Sequence, residues 1–342
     1  MSGAVDPKAM LNPREATPQV RPAEASATSK VQLRAPNKVA DQVFRLLVLA
    51  CGLSLLAIVG LIIIQLLEHS SQSWHAFGFK FFTGQNWDPV QGDFGGLSFV
   101  YGTLVSSLLA LILAVPVAIG VAVFTTEMCP KPIRGVLSFF TELLAAIPSV
   151  IYGLWAIFVL APLLRNKVEP FLAHYLGWTG LFTGAPYGIG MLAAGVILAI
   201  MIVPIISSIT REVLSAVPNQ QREAALALGA TRWEMIRIAV LRNARTGIIG
   251  AIILGLGRAL GETMAVTMVI GNRAEIAKSL FAPGYTMASV IANEFSEATG
   301  DLYLSALVEV GLGLFLVTII VNIAAGLLVW SVTRGMPARG NA

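Results

Sequence analysis

Six long apolar stretches divide this chain. They run over about Leu46–Leu67, Leu97–Thr126, Val136–Leu164, Tyr187–Ile209, Gly247–Ile270 and Tyr303–Val332. Each is long enough for a helix to cross the ~30 Å hydrocarbon core of a bilayer. The predicted fold class is therefore an all-α membrane protein with six transmembrane helices. The second run is uncharged and has room for tilt, for a kink at Pro116, or for both. Glu142 and Pro148 fall inside the third run, Pro204 near the end of the fourth and Glu309 near the start of the sixth. No internal repeat is evident.

The segments between the runs differ in kind. Residues 1–40 are rich in Pro, Ala, Ser, Thr, Lys and Arg and carry no apolar period, which predicts a disordered tail. No short apolar core with a cleavage site stands near the start, so no removable signal peptide is expected. The connection Glu68–Gly96 holds Trp74, Phe77, Phe79, Phe81, Phe82 and Trp87, a composition expected of aromatic anchoring at a membrane interface. The expected organisation is a tail (1–40), a first span with an extracytoplasmic loop (41–96) and a helical core (97–335).

The most distinctive polar segment lies at about 217–246 and runs without a linker into the fifth apolar run. It reads as two short helices on the membrane surface. Asn219 or Val217 can cap the first, with Pro218 in its opening turn, and Gly229 sits where a left-handed residue ends it. Thr231 and Glu234 have the capping-box spacing, so a second helix starts near Arg232. A surface element joined directly to a charged span suggests a device that passes motion into the bilayer.

Composition agrees with this picture. Of 342 residues, 56% are hydrophobic and 12% charged, which excludes an ordinary soluble domain. With the N-terminus inside, the cytoplasmic face receives 17 Lys and Arg and the opposite face 5, so both termini are expected in the cytoplasm. This topology accounts for the arginines without a nucleic-acid role. Cys51 and Cys129 imply neither a disulfide framework nor a zinc site. His69, His75 and His174 lack ligand spacing and read as solvated loop residues. No G-x-x-x-x-G-K-[ST] occurs, so any ATP hydrolysis belongs to another subunit.

A few charged and hydroxyl groups stand out against the apolar background. Arg258 and Glu262, four residues apart in the fifth run, can pair on one helix face. A charge in the membrane centre costs about 2.5–3.5 kcal/mol on insertion scales. The pair is either a mutually neutralising structural feature or part of an anion pathway, whose guanidinium offers a planar fork to an oxyanion. Glu142 reads as buried near the start of the third span. Pro148 frees backbone carbonyls there, and Ser149 and Tyr152 add hydroxyls, as pathway lining or as packing contacts. Glu309 reads as an interfacial residue that snorkels or pairs with a neighbour.

The surface segment supplies a resemblance. Glu223-Ala224-Ala225, three residues and then Gly229 resemble the EAA motif of ABC importer permeases. The family pattern continues with Ile-x-Leu-Pro, where this chain has Ala239, Val240, Leu241 and Arg242. Leu241 matches, whereas Ala239 and Arg242 depart, and the absent proline bears on a bend after the second helix. With GRALGETMAV (257–266), IPSVIYGL (147–154) and the run 101–124, the chain resembles permeases of phosphate-specific ABC importers, of the PstC type, over most of residues 70–335. The resemblance implies a MetI-like type I importer permease in a prokaryotic plasma membrane, not itself an enzyme. It implies a coupling role for Arg222, Glu223, Ala224, Ala225 and Gly229, and a phosphate pathway at Arg258 and Glu262. It further implies a PstA-type second permease, a PstB-type ATPase dimer that binds the ATP and Mg, and a PstS-type phosphate-binding protein. A permease for sulfate or molybdate, a transporter or channel working without ATP, and a phosphate-sensing scaffold are the alternatives.

Overall fold

The computed structural model describes residues 38–333, so residues 1–37 of the expected disordered tail and the basic Arg334 and Arg339 lie outside the described residues, while 38–40 are already helical. The described residues divide into two compact units, the first ending at Ile58 and the second starting at Val59. Among the described residues six helices are long and apolar enough to cross a membrane, and a single antiparallel strand pair is present.

The elements follow in chain order. Helix α1 (Lys38–His69) is the first span. Short helices α2 (Ser71–Phe77) and α3 (Lys80–Thr83) and strands β1 (Trp87–Asp88) and β2 (Asp93–Phe94) lead to α4 (Leu97–Val123). A π-turn, Phe124–Met128, ends this second span. Next come α5 (Lys131–Ala146) and α6 (Ser149–Trp155), the latter continued by two π-turns, by α7 (Ala161–Leu163) and by α8 (Glu169–Leu176). Helix α9 (Met191–Ser215) is the fourth span. Helices α10 (Asn219–Ala227), α11 (Arg232–Met235), α12 (Arg242–Leu260), α13 (Met264–Thr267), α14 (Met287–Glu294) and α15 (Asp301–Thr333) complete the chain.

The second unit is organised around a seam of small residues. Gly102, Ser106, Ala110, Ala114, Ala118 and Ala122 recur every fourth position along α4, and all are buried. At that spacing they form one continuous stripe on the helix. Without bulky side chains in the way, Ala194, Leu198 and Ile202 of α9 and Ala251 and Ala259 of α12 close over this stripe. In lipid, helices associate through this kind of close van der Waals packing, since burying apolar surface gains nothing there.

The fourth span runs Met191–Ser215, not Tyr187–Ile209, and two of the expected spans depart further. The run 136–164 is not one span: α5 stops at Ala146, Ile147 and Pro148 are extended, and the third crossing helix is Ser149–Thr179. Proline cannot continue the helix and biases the residue before it toward extended backbone, which accounts for the break. Helix α5 buries no residue, and its turns instead carry an exposed apolar face with Ile133, Val136, Phe140 and Leu143. Arg134 donates to the Thr126 carbonyl at the end of the second span, and Glu142 receives a bond from Arg211 near the end of the fourth. Helix α5 is therefore tied across two span ends. The fifth run also ends early, because the helix from Arg232 closes at Leu260 and the chain breaks over 261–263.

Of the aromatic connection, Phe77, Phe81, Phe82 and Trp87 pack into a core, whereas Trp74 and Phe79 stay exposed. Phe81 and Phe94 are buried, and Trp87 lies within 4.9 Å of the Phe94 ring and 4.8 Å of the Phe99 ring. Trp87 Nε1 and the Tyr303 hydroxyl both donate to Glu294 Oε2, at 2.8 and 2.7 Å. Only long-range pairing with α14 and α15 distinguishes this cap from a solvated aromatic loop. Glu309 is likewise buried, beside Ser73.

Near the cap, α4 meets the segment before α14 so closely that a Cβ on Gly102 would overlap the Tyr285 carbonyl. Gly102→Ala is expected to cost about 1–3 kcal/mol through overpacking. The thermal midpoint of the purified protein should fall, and an unchanged midpoint would contradict the contact.

Candidate functional site

The segment 217–246 is shaped by local hydrogen bonds at each of its corners. Helix α10 begins after Pro218, which stands in the N-cap position without a side-chain cap; neither Asn219 nor Val217 plays that part. It ends in a complete Schellman turn. Gly229 N–H donates to the Leu226 carbonyl, and Ala230 N–H donates to the Ala225 carbonyl. This closure needs a left-handed residue at Gly229, whose φ is +87°. The next helix opens with the expected capping box: Glu234 N–H donates to Thr231 Oγ1, and Thr231 N–H donates to Glu234 Oε2 at 2.8 Å.

The second surface helix does not stop at the membrane. Helix α11 continues through a π-turn, Ile236–Leu241, into α12, giving one helix over Arg232–Leu260. Arg242, at the position of the family's proline, stands inside this continuous helix. The expected pair of surface helices is thus one short helix, α10, and the first turns of the fifth span. Met235, Ile236, Ala239 and Val240 pack with Leu214, Val217 and Val123, with Ala225 of α10 against the same cluster. The segment therefore rests on the ends of two other spans, the second and the fourth.

The residues of α10 and its closing turn have different surroundings. Glu223, Ala224 and Gly229 are exposed, and Ala225 is half-buried. Beside them Leu226, Leu228 and Trp233 are exposed large apolar groups, and Leu228 is 91% accessible. A groove of about 520 Å³ runs between Glu127, Met128, Arg222, Glu223, Leu226 and Trp233. Arg222 points inward. Its Nε and Nη2 donate to Glu127 on the second span's π-turn, with Nη2–Oε1 at 2.8 Å. Nη2 also donates to the Leu214 carbonyl at 2.9 Å, and Nη1 donates to the Val217 carbonyl and to Asn219 Oδ1. Sequence reasoning missed Glu127. The available signal was a lone carboxylate closing an uncharged 30-residue run.

Arg258 and Glu262 do pair, with Nη2 and Oε2 3.5 Å apart. The contact does not follow one helix face, because α12 ends between the two residues. Glu262 lies at the break, 5% exposed, and its Oε1 accepts from Ala265 N–H of α13. Arg258 stands in the last turn of α12, where the helix dipole favours a cation, and remains 47% exposed. The geometry is a guanidinium held loosely from behind by a buried carboxylate and open in front.

The other residues singled out from the sequence divide into two groups. Tyr152 is buried, its hydroxyl donating to the Leu144 carbonyl at 2.8 Å, and it packs with Ala265 and Val269 just after Glu262. Ser149 is the first helical residue after the Pro148 break. Tyr152 thus adjoins the chain segment that follows the Arg–Glu pair. Glu142 does not: its side chain is 62% exposed, it lies on α5, and it pairs with Arg211 at 2.7 Å. Among the described residues no His, Cys, Asp and Glu group could hold a metal ion.

Comparison with known proteins agrees with this arrangement. Residues 114–334 match the family model for the binding-protein-dependent transport system inner membrane component. A phosphate transport system permease protein PstC from Mesorhizobium japonicum is 46% identical over 312 residues, 90% of this chain and 94% of the relative. One from Pasteurella multocida is 47% identical over 269 residues, covering 78% and 84%. A crystal structure of a bacterial ABC transporter involved in the import of alginate superposes with a TM-score of 0.55, over 86% of this chain and 99% of that one, at 16% identity; it shares the fold. The six spans and the turn-bounded surface helix thus define an inner-membrane permease subunit of a binding-protein-dependent transporter. Within that class the chain belongs to the family of PstC permease proteins.

A residue with a Cβ is strained at the Gly229 backbone by roughly 1–2 kcal/mol. Gly229→Val is expected to lower the stability of the α10 turn by that amount and to raise amide exchange in residues 224–231. Unchanged exchange there would contradict the Schellman closure.

Proposed function

We propose that this chain forms half of the translocation pathway of an ATP-driven importer of inorganic phosphate. The reading rests on the PstC names of its relatives and on one feature of its own geometry: α10 exposes Glu223, Ala224 and Gly229 while its Arg222 is bound inward. A small-residue face offered to solvent and backed by a fixed core suits close docking by another protein. The excess of Lys and Arg on this side makes it cytoplasmic, with both termini there. The docking partner is a PstB-type ATPase dimer, which supplies ATP and Mg; this chain carries no cofactor. A PstA-type permease forms the other half of the pathway, and a PstS-type phosphate-binding protein docks on the outer face.

The mechanism is alternating access. Nucleotide closes the ATPase dimer and draws the coupling helices of the two permeases together, and the spans open outward. Phosphate leaves its binding protein, passes Arg258 and exits inward after hydrolysis resets the pair. Arg258 suits this passage because its planar fork matches an oxyanion. Its loose partnership with Glu262 keeps the empty site close to neutral, so that the anion is attracted and still released. Tyr152, next to the segment that follows Glu262, and Ser149, at the start of the same helix, line or stiffen this region.

Replacing Arg258 with Gln removes a charge-assisted contact of about 1.5–3 kcal/mol. Labelled phosphate uptake should fall at least tenfold while the assembly still purifies intact; normal uptake would reject the pathway role. Competition by unlabelled phosphate but not by sulfate or molybdate is expected in the wild type.

Glu223→Lys reverses charge on the docking face without touching the packed side of α10. It should weaken co-purification of the ATPase or abolish phosphate-stimulated hydrolysis. If both stay at wild-type levels, the coupling role is rejected.

A further inference from the structure

We propose that Glu127 is the residue through which movement of α10 enters the second span, and that this span carries it to the opposite end of the second unit. The proposal rests on the coupling role assigned to α10 above. It adds a positioning residue that binds neither phosphate nor the ATPase and acts by tethering.

Three observations carry it. First, the Arg222–Glu127 pair is nearly dry, with side chains 15% and 7% exposed, and a surface ion pair would be too weak to hold position. Second, the guanidinium is engaged at every nitrogen. It joins α10 to the carbonyls of Leu214 and Val217 at the end of the fourth span and to Glu127 at the end of the second. The apolar cluster beneath α10 can slide, whereas several directional bonds to a planar fork fix both position and angle. A π-turn at Phe124–Met128 shapes the backbone that presents Glu127, and such turns recur at functional positions.

Third, the far end of the same span is tied to the segment that follows the Arg258–Glu262 break. Met287 N–H donates to Thr103 Oγ1 at 2.9 Å, and the Tyr101 hydroxyl donates to the Ala277 carbonyl at 2.9 Å. From Glu127 to Thr103 the helical rise is about 36 Å. Between these ties the small-residue seam leaves the span little freedom to bend away from α9. A displacement of α10 that pulls on Glu127 therefore reaches residues 277–287 through one rigid element. The fifth span carries a parallel route: Arg232–Leu260 is a single helix, joined to α10 by the turn at 228–231, by the packing of Ala225 on its start and by Asn243, which donates to Gln221 Oε1.

The test is the ratio of phosphate imported to ATP hydrolysed, measured with the intact four-component assembly in proteoliposomes. Glu127→Gln keeps size and an acceptor but removes the charge; Glu127→Ala removes both. The expected result is that both variants still co-purify with the ATPase and hydrolyse ATP, while the ratio falls at least fivefold. Arg222→Ala should show the same loss, and the double variant Glu127→Ala, Arg222→Ala should be no worse than either single change, as for two ends of one tie. An unchanged ratio in an assembled Glu127→Gln or Glu127→Ala complex would overturn the proposal. So would failure of Glu127→Gln to assemble, which would make the pair a determinant of folding, or additive losses in the double variant. Glu223→Lys separates this from the reading beneath it: retained docking and stimulated hydrolysis there would reject coupling by α10, whatever Glu127 does.

Discussion

The structure depends on the seam along α4. Six small residues at every fourth position let the second span lie against the fourth and fifth without intervening side chains. In a bilayer no hydrophobic gain drives helices together, so close backbone approach and hydrogen bonds must do so. The seam supplies the first over nearly the whole length of α4. The rest attaches to its two ends. At one end Arg222, Val217 and Leu214 gather α10, the second span and the fourth; at the other, Tyr101 holds the segment before α14 at Ala277 and Thr103 holds the first residue of α14, Met287. A permease has to move as a few stiff parts, and this packing makes one of them.

The breaks in the helices are the counterpart of that stiffness. Backbone groups in lipid need partners, so an interrupted span is tolerated only where protein or a water-lined cavity covers it. At Gly261–Thr263 the buried carboxylate of Glu262 accepts from Ala265 N–H and satisfies part of the opened backbone. At Ile147–Pro148 the Tyr152 hydroxyl takes up the Leu144 carbonyl freed at the end of α5. The two interrupted segments also pack on each other, with Tyr152 among Ala265, Met268 and Val269. Arg258 is therefore carried at the edge of a locally unwound region that is itself well supported.

Much of this was legible in the sequence where the deciding interactions are local. The Thr231–Glu234 capping box, the left-handed Gly229 and four of the six spans depend on neighbours within a few residues or on bulk hydropathy. The Arg258–Glu262 pair was legible for the same reason. What escaped depends on contacts far apart in the chain. Hydropathy over Val136–Leu164 averages across Pro148 and hides the break between α5 and the span that starts at Ser149, so Glu142 reads as buried when it is exposed. The fifth span ends at Leu260 because Glu262 turns to serve α13, which no window reveals. Trp87 reads as an interfacial anchor until Glu294, Phe94 and Tyr303 are seen to enclose it. Arg222 reads as a docking charge until Glu127, 95 residues earlier, is found to hold it.

The central claim is that an exposed coupling helix, fixed from behind, receives the ATPase of a phosphate importer. The most direct measurement places a photoreactive amino acid at Leu228, the most exposed apolar residue beside that helix, in cells expressing the whole transporter. The account predicts a light-dependent adduct between this chain and the ATP-binding subunit, with the adduct lost when the same probe is moved to the buried position Leu214. A probe at 228 that labels only lipid or water-quenched product in the assembled transporter would contradict it.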